Sequence, residues 1–77
     1  MYQVIGFSRF ASAAHKAAEL DLFDGEVKLT TADGDVVASH RQLTTDSDGD
    51  LLVYVSGSPG DYVYVSSIVS IEGDMPY

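Results

Sequence analysis

The residues best placed to do chemistry are the aspartates of one short stretch, Asp46-Ser47-Asp48-Gly49-Asp50. Carboxylates at positions 1, 3 and 5 of a loop are how an EF-hand presents oxygens to calcium. The rest of that pattern is missing. Leu51 stands where the turn glycine is needed, Gly57 stands where the bidentate glutamate belongs, and the flanks read as strands. The stretch therefore reads as an acidic turn, and no metal or other cofactor is expected. His15 and His40 lie in different elements with no cysteine anywhere in the chain, so zinc lacks a ligand set. The serines sit in no Gly-x-Ser-x-Gly elbow. Carboxylates held in turns stay hydrated and ionised, untuned for acid or base work. The sequence thus points away from an enzyme.

A second constellation is aromatic. Tyr62 and Tyr64 alternate along one strand, and Tyr54 can lie across a hairpin from them. Aromatics on a sheet can stack bases, but single-strand-binding surfaces interleave them with Lys and Arg, whereas the neighbours here are Asp48, Asp50 and Asp61. Tyrosine beside aspartate suits either a protein interface that meets Lys or Arg, or cross-strand pairs that merely cover a core. The charge sharpens this choice. Twelve acids against four bases give a net charge of −8. All four bases (Arg9, Lys16, Lys28, Arg41) precede residue 42, and only acids follow. A negative field repels phosphate backbones and steers basic surfaces in, so direct nucleic-acid binding is not expected. The same acidity would also serve solubility alone, or a halophilic source.

These residues need a scaffold, and 77 residues give one domain with one core. Tyr2 to Phe7 alternates loosely, as a short strand or an extended arm. Ser8 precedes an alanine-rich run and can cap a helix over 8–20, with Phe10, Ala13, Ala14, Ala17 and Leu20 at helical spacing. Asp24-Gly25 marks a break. Residues 26–31, a tight turn at Ala32-Asp33-Gly34-Asp35, and residues 36–43 make one hairpin; residues 51–56 and 61–65, around Gly57-Ser58-Pro59-Gly60, make another. Ile68 to Glu72 is a short last strand. An open sheet of this size would leave long edges unpaired, so the expected fold is α+β, mainly β: an N-terminal helix and a five-stranded antiparallel small barrel over 26–72. The absence of cysteine, of a secretory leader in MYQVIGFSRF and of any apolar run near ~20 residues lead to the expectation of a cytoplasmic protein that does not meet a membrane.

The order of these signals, from Val27 to Val37, Asp50 to Val55, Asp61 to Val65 and Ile68 to Ile71, with Tyr2-Gln3-Val4-Ile5 and the helix ahead of them, resembles the Rof family. Members are small acidic bacterial inhibitors of the transcription terminator Rho. The resemblance implies an Sm-like barrel, and antitermination by covering the RNA-binding face of Rho, a basic nucleic-acid-binding protein. Two differences stand out: Gly6-Phe7-Ser8-Arg9-Phe10 replaces the family's acidic stretch before the helix, and the segment through Asp21, Asp24 and Glu26 is longer. Two alternatives remain open. One is a phage- or plasmid-encoded nucleic-acid mimic aimed at a host defence or transcription protein; the other is an Sm-like assembly module forming homo-oligomers. A monomer is expected, with partner contacts on Asp46, Asp48, Asp50 and Asp61, joined by Tyr62 and Tyr64.

Overall fold

The chain opens with a strand, one of the two forms the sequence allowed for Tyr2 to Phe7, so the helix is not the first element of the fold. In the computed structural model, which describes residues 1–76, β1 (Tyr2–Gly6) lies antiparallel to the last strand, β7 (Ile68–Asp74), with Tyr2 opposite Asp74 and Gly6 opposite Ser70. No side chain of β1 is fully buried. That explains its faint sequence signal: its place comes from main-chain pairing more than from an apolar face.

The helix α1 spans Ala13–Leu20 and starts five residues later than the sequence suggested. Its cap is Ser12, whose hydroxyl accepts from the His15 amide at 3.1 Å. Ser8 instead closes a local turn, its Oγ accepting from the Phe10 amide and its carbonyl from the Ala11 amide, both at 3.0 Å. A serine hydroxyl that turns its own backbone competes with helix extension, and here the turn wins. The inward face is Ala13, Lys16, Ala17 and Leu20, spaced i, i+3, i+4, i+7. Phe10 is 83% exposed and Ala14 faces solvent, so neither belongs to the stripe expected of them.

The remaining strands are β2 (Asp24–Thr31), β3 (Val36–Ser39), β4 (Leu43–Thr45), β5 (Leu51–Tyr54) and β6 (Tyr62–Tyr64). They form two antiparallel sheets, ordered β1-β7-β2-β3 and β4-β5-β6. The expectation of five strands closed into a barrel is therefore corrected to seven strands in two sheets. Two local features account for the difference. β1 adds a strand beside β7, and the run 36–43 breaks into β3 and β4 at a corner where Arg41 adopts φ +69°. At that corner the buried Ser39 hydroxyl donates to the Tyr54 carbonyl at 2.6 Å and accepts from the Arg41 amide at 3.0 Å. The Arg41 guanidinium Nε donates to the Gly25 carbonyl at 2.7 Å, and the Ser56 amide to the Ala38 carbonyl at 2.8 Å. Chain direction changes there, and the sheets stay stitched together. The expected break at Asp24-Gly25 instead lies inside β2. It shows up as a slip in the β2–β7 pairing, with Asp24 opposite Asp74 but Lys28 opposite Glu72.

The core sits between the sheets and under α1: Leu20, Phe23, Val27, Leu29, Val53, Val65, Ile68, Ile71 and Met75. Ile68 and Ile71 both point inward although three residues apart. The register shift after Thr30, which faces Ser70 while Thr31 faces Ile68, absorbs the odd residue. A 3-10 turn, Val65–Ser67, carries the chain from β6 to β7, and the buried Lys16 ammonium donates to its Ser66 carbonyl at 2.8 Å, anchoring α1. No helix among the described residues is long and apolar enough to cross a membrane.

Two substitutions test this packing. A methyl at Gly73 would stand 2.9 Å from Val27 Cγ1 and 3.3 Å from Phe23 Cδ2, so Gly73→Ala is expected to cost about 1–3 kcal/mol by overpacking. Ser39→Ala removes the group that joins Tyr54 to Arg41, and about 1–3 kcal/mol is expected there too. Urea unfolding with an unchanged m-value is the measurement for both.

Candidate functional site

The sheet β4-β5-β6 has a dry face and an aromatic one. Val53 pairs with Val63 and both turn into the core, whereas Leu52 pairs with Tyr64 and Tyr54 with Tyr62 on the outer side. Tyr54, Tyr62 and Tyr64 are 36%, 47% and 41% exposed, yet Leu52 between them is only 6% exposed. The tyrosines that share its face shield it. Tyr62 and Tyr64 meet edge to face, 5.9 Å between ring centroids at 86°, an arrangement favoured by the ring quadrupoles. The patch is thus built: Leu52 is its floor and three half-exposed phenols are its surface.

Acids stand at both ends of it. The hairpin β4–β5 ends in the loop Asp46 to Asp50, beyond the Thr45–Leu51 pair and next to Tyr64. The Asp46 Oδ1 accepts from the amides of Asp48 and Asp50, each at 2.9 Å, and Gly49 takes φ +84°, so one carboxylate holds the loop in shape. Carboxylate oxygens of Asp46, Asp48 and Asp50 come within 4.8 Å of one another. One Asp46 oxygen is already committed to the loop, and exposed carboxylates gather in turns of this kind without a cation. Asp61 is not part of this cluster. It precedes Tyr62 at the opposite end of β6, roughly 10 Å along the strand from Tyr64. The six residues singled out from the sequence therefore gather along one sheet, with Tyr62 and Tyr64 in β6, three aspartates in the loop beyond one end and Asp61 just beyond the other.

The charge here has no internal answer. Among the described residues the one close acid–base contact is between His40 and Glu26, at 3.6 Å, and no Lys or Arg lies within salt-bridge distance of a carboxylate. Two of the four bases bond to backbone carbonyls instead, Lys16 to Ser66 and Arg41 to Gly25.

Sequence reasoning placed Tyr54 near the patch but missed Leu52 and the groove beside them. That groove, a cavity of about 390 Å³, opens between the corner and the 56–60 turn and is lined by His40, Gln42, Tyr54, Ser56, Ser58 and Pro59, among others. The Ser56 hydroxyl in its wall is buried and has no hydrogen-bond partner. Leu52 and Tyr54 did carry a legible signal, since they alternate in phase with Tyr62 and Tyr64 across the hairpin. The groove carried none, because it arises where two segments far apart in the chain meet.

The acids leave a mark on Tyr64. Its phenol is raised above the usual value of about 10, first by Tyr62, whose phenolate would repel a second one, then by Asp46 and partial desolvation. The contact from the Tyr64 hydroxyl to Asp46 Oδ2, at 3.4 Å, is too long to be the main cause. The fold favours the neutral phenol, so this contribution is present below the ordinary phenol range and is lost as pH rises through the elevated midpoint. Tyr62→Phe is expected to lower the Tyr64 midpoint more than Asp46→Asn does, read by NMR of ring-labelled tyrosine between pH 8 and 13.

Compared with known proteins, the chain matches no family model, no curated protein and no solved structure.

Proposed function

We propose that this protein is an acidic binding domain that covers the nucleic-acid-binding surface of a basic partner and so inhibits it. The observation that carries this reading is the outer face of β4-β5-β6, a tyrosine patch on a Leu52 floor with Asp46, Asp48 and Asp50 at one end and Asp61 at the other. Tyrosines supply contact area that is apolar in body and polar at the tip, and they lose little side-chain freedom on binding. Carboxylates not paired to Lys or Arg among the described residues would present the charge pattern of a phosphate backbone to a basic groove. Neither half would suffice alone. Acid without a patch gives steering with little residence, and aromatics without charge give no preference for a nucleic-acid-binding site.

By the Rof resemblance the partner is Rho or a Rho-like factor, and the outcome is antitermination. The Sm-like barrel that the resemblance also implied is not carried into this reading, because the strands form two sheets, β1-β7-β2-β3 and β4-β5-β6.

The test is displacement of a labelled RNA from purified Rho by the wild-type domain and by a variant carrying Asp→Asn at 46, 48, 50 and 61. Exposed charge pairs are worth about 0.5 kcal/mol each, so losing four should weaken inhibition roughly 30-fold at low salt. Wild-type affinity should fall steeply as salt rises. Equal inhibition by the two proteins at low salt would sink the charge reading.

A further inference from the structure

The geometry points to β1 as a self-pairing edge, through which two copies of this chain join their larger sheets into one across a two-fold axis. In the β1–β7 ladder the bonded pairs can be read from its ends. The Met75 amide donates to the Met1 carbonyl at 2.8 Å and the Phe7 amide to the Val69 carbonyl at 2.9 Å. Antiparallel pairing alternates bonded and non-bonded pairs, so residues 1, 3, 5 and 7 bond to β7, while the N–H and C=O of Tyr2, Val4 and Gly6 point away from it. No strand lies on that side among the described residues.

Three observations fit a second copy as the occupant. The first is register. An antiparallel pairing that sets Val4 opposite Val4 also sets Tyr2 opposite Gly6 of the other copy, and every outward N–H and C=O of β1 then meets its complement, about six hydrogen bonds in all. The second is side-chain fit. A Cβ built on Gly6 meets nothing within 4 Å, which leaves room beside it for the Tyr2 ring of the partner protomer, 55% exposed although its hydroxyl donates to Glu72 at 2.7 Å. An aromatic over a cross-strand glycine is a favourable way to cover it. The third is charge. Met1 to Phe7 has no charged side chain and no proline, the devices that normally blunt an exposed edge, in a chain of net charge −8. The other edges suit self-association less well. β4 and β6 are three residues each and flanked by Asp46 and Asp61, and β3 runs into the corner and is bonded to Ser56. Pairing through β1 uses up that edge in both copies, so assembly closes at two rather than growing into fibres.

A five-residue edge is small beside the roughly 800 Å² per partner typical of stable complexes, so the dimer is weak and concentration-dependent. Both copies are acidic, and salt should strengthen it by screening. That is the opposite of the salt effect expected for a basic partner at the tyrosine face, so the two readings fail separately.

The experiment is sedimentation equilibrium of the whole protein from 5 μM to 1 mM at 0.05 and 0.5 M NaCl, with amide hydrogen exchange at both ends of the concentration range. The expected result is a monomer–dimer equilibrium, tighter at high salt. The Tyr2, Val4 and Gly6 amides should gain protection with concentration, while Gln3 and Ile5 stay protected throughout. Val4→Pro removes an outward N–H that β7 does not use and should leave a folded monomer. A monomer at 1 mM in high salt overturns the proposal. So does a dimer in which those three amides exchange at the monomer rate, one that survives Val4→Pro, or growth beyond two copies. Should Val4→Pro fail to fold, the exchange of the wild-type amides decides alone.

Discussion

The structure turns on one small corner. Ser39, fully buried at the end of β3, bonds to the backbone of both Arg41 and Tyr54, and Arg41 bends through a left-handed backbone to bond to Gly25. A non-glycine residue at positive φ carries a cost, so the neighbouring bonds must hold it there. They also fix everything downstream. With the corner in place, β4 starts a new sheet, β5 pairs with it, and the Tyr54 carbonyl is tied to β3. This sets which face of β5 turns outward, and so puts Leu52 and Tyr54 beneath and beside Tyr62 and Tyr64. The tyrosine face thus depends on a hydroxyl at residue 39.

Much of this was legible in the sequence, and the failures follow a pattern. The hairpins at residues 32–35 and 57–60 have turn chemistry that leaves few options, with Gly34, Gly57 and Gly60 all at positive φ. The alternation of Tyr62-Val63-Tyr64-Val65 gave the inner and outer faces correctly, Val63 and Val65 packing inward. What misled was competition between local signals. Ser8 and Ser12 are both good caps, and nothing in composition shows that Ser8 is already engaged in a turn. The run 36–43 has no glycine or proline to mark a bend, and only the tertiary bonds of Ser39 and Arg41 reveal that it must turn. β1 was faint because both its faces are partly wet, and its stability comes from pairing with a strand about seventy residues away, beyond the reach of local reading.

The charge is a second case where composition was right and its meaning came from the structure. Four bases against twelve acids could have been a web of internal ion pairs. Instead Lys16 turns inward to a carbonyl and lies 5.8 Å over the Phe7 ring, Arg41 secures the corner, and Arg9 lies 4.9 Å over the Phe10 ring. Bases used this way strengthen the scaffold but neutralise little of the field in front of the tyrosines. Lys16, Arg41 and Arg9 are thus spent on the scaffold and not on the acids around the tyrosines.

The acidic loop is held by its own hydrogen bonds. Side by side, Asp46, Asp48 and Asp50 repel one another, and in a flexible loop they would spread into solvent. Asp46 counters this by taking two backbone amides on one oxygen, which delocalises part of its charge into the loop's own dipoles. Its carboxylate is half-buried and structural; those of Asp48 and Asp50 are exposed and remain available. The aspartates therefore divide in role, one shaping the turn and two presenting charge. The backbone that carries Asp48 and Asp50 is thereby fixed next to Tyr64, so the fold itself has already met the conformational cost of ordering that stretch of chain.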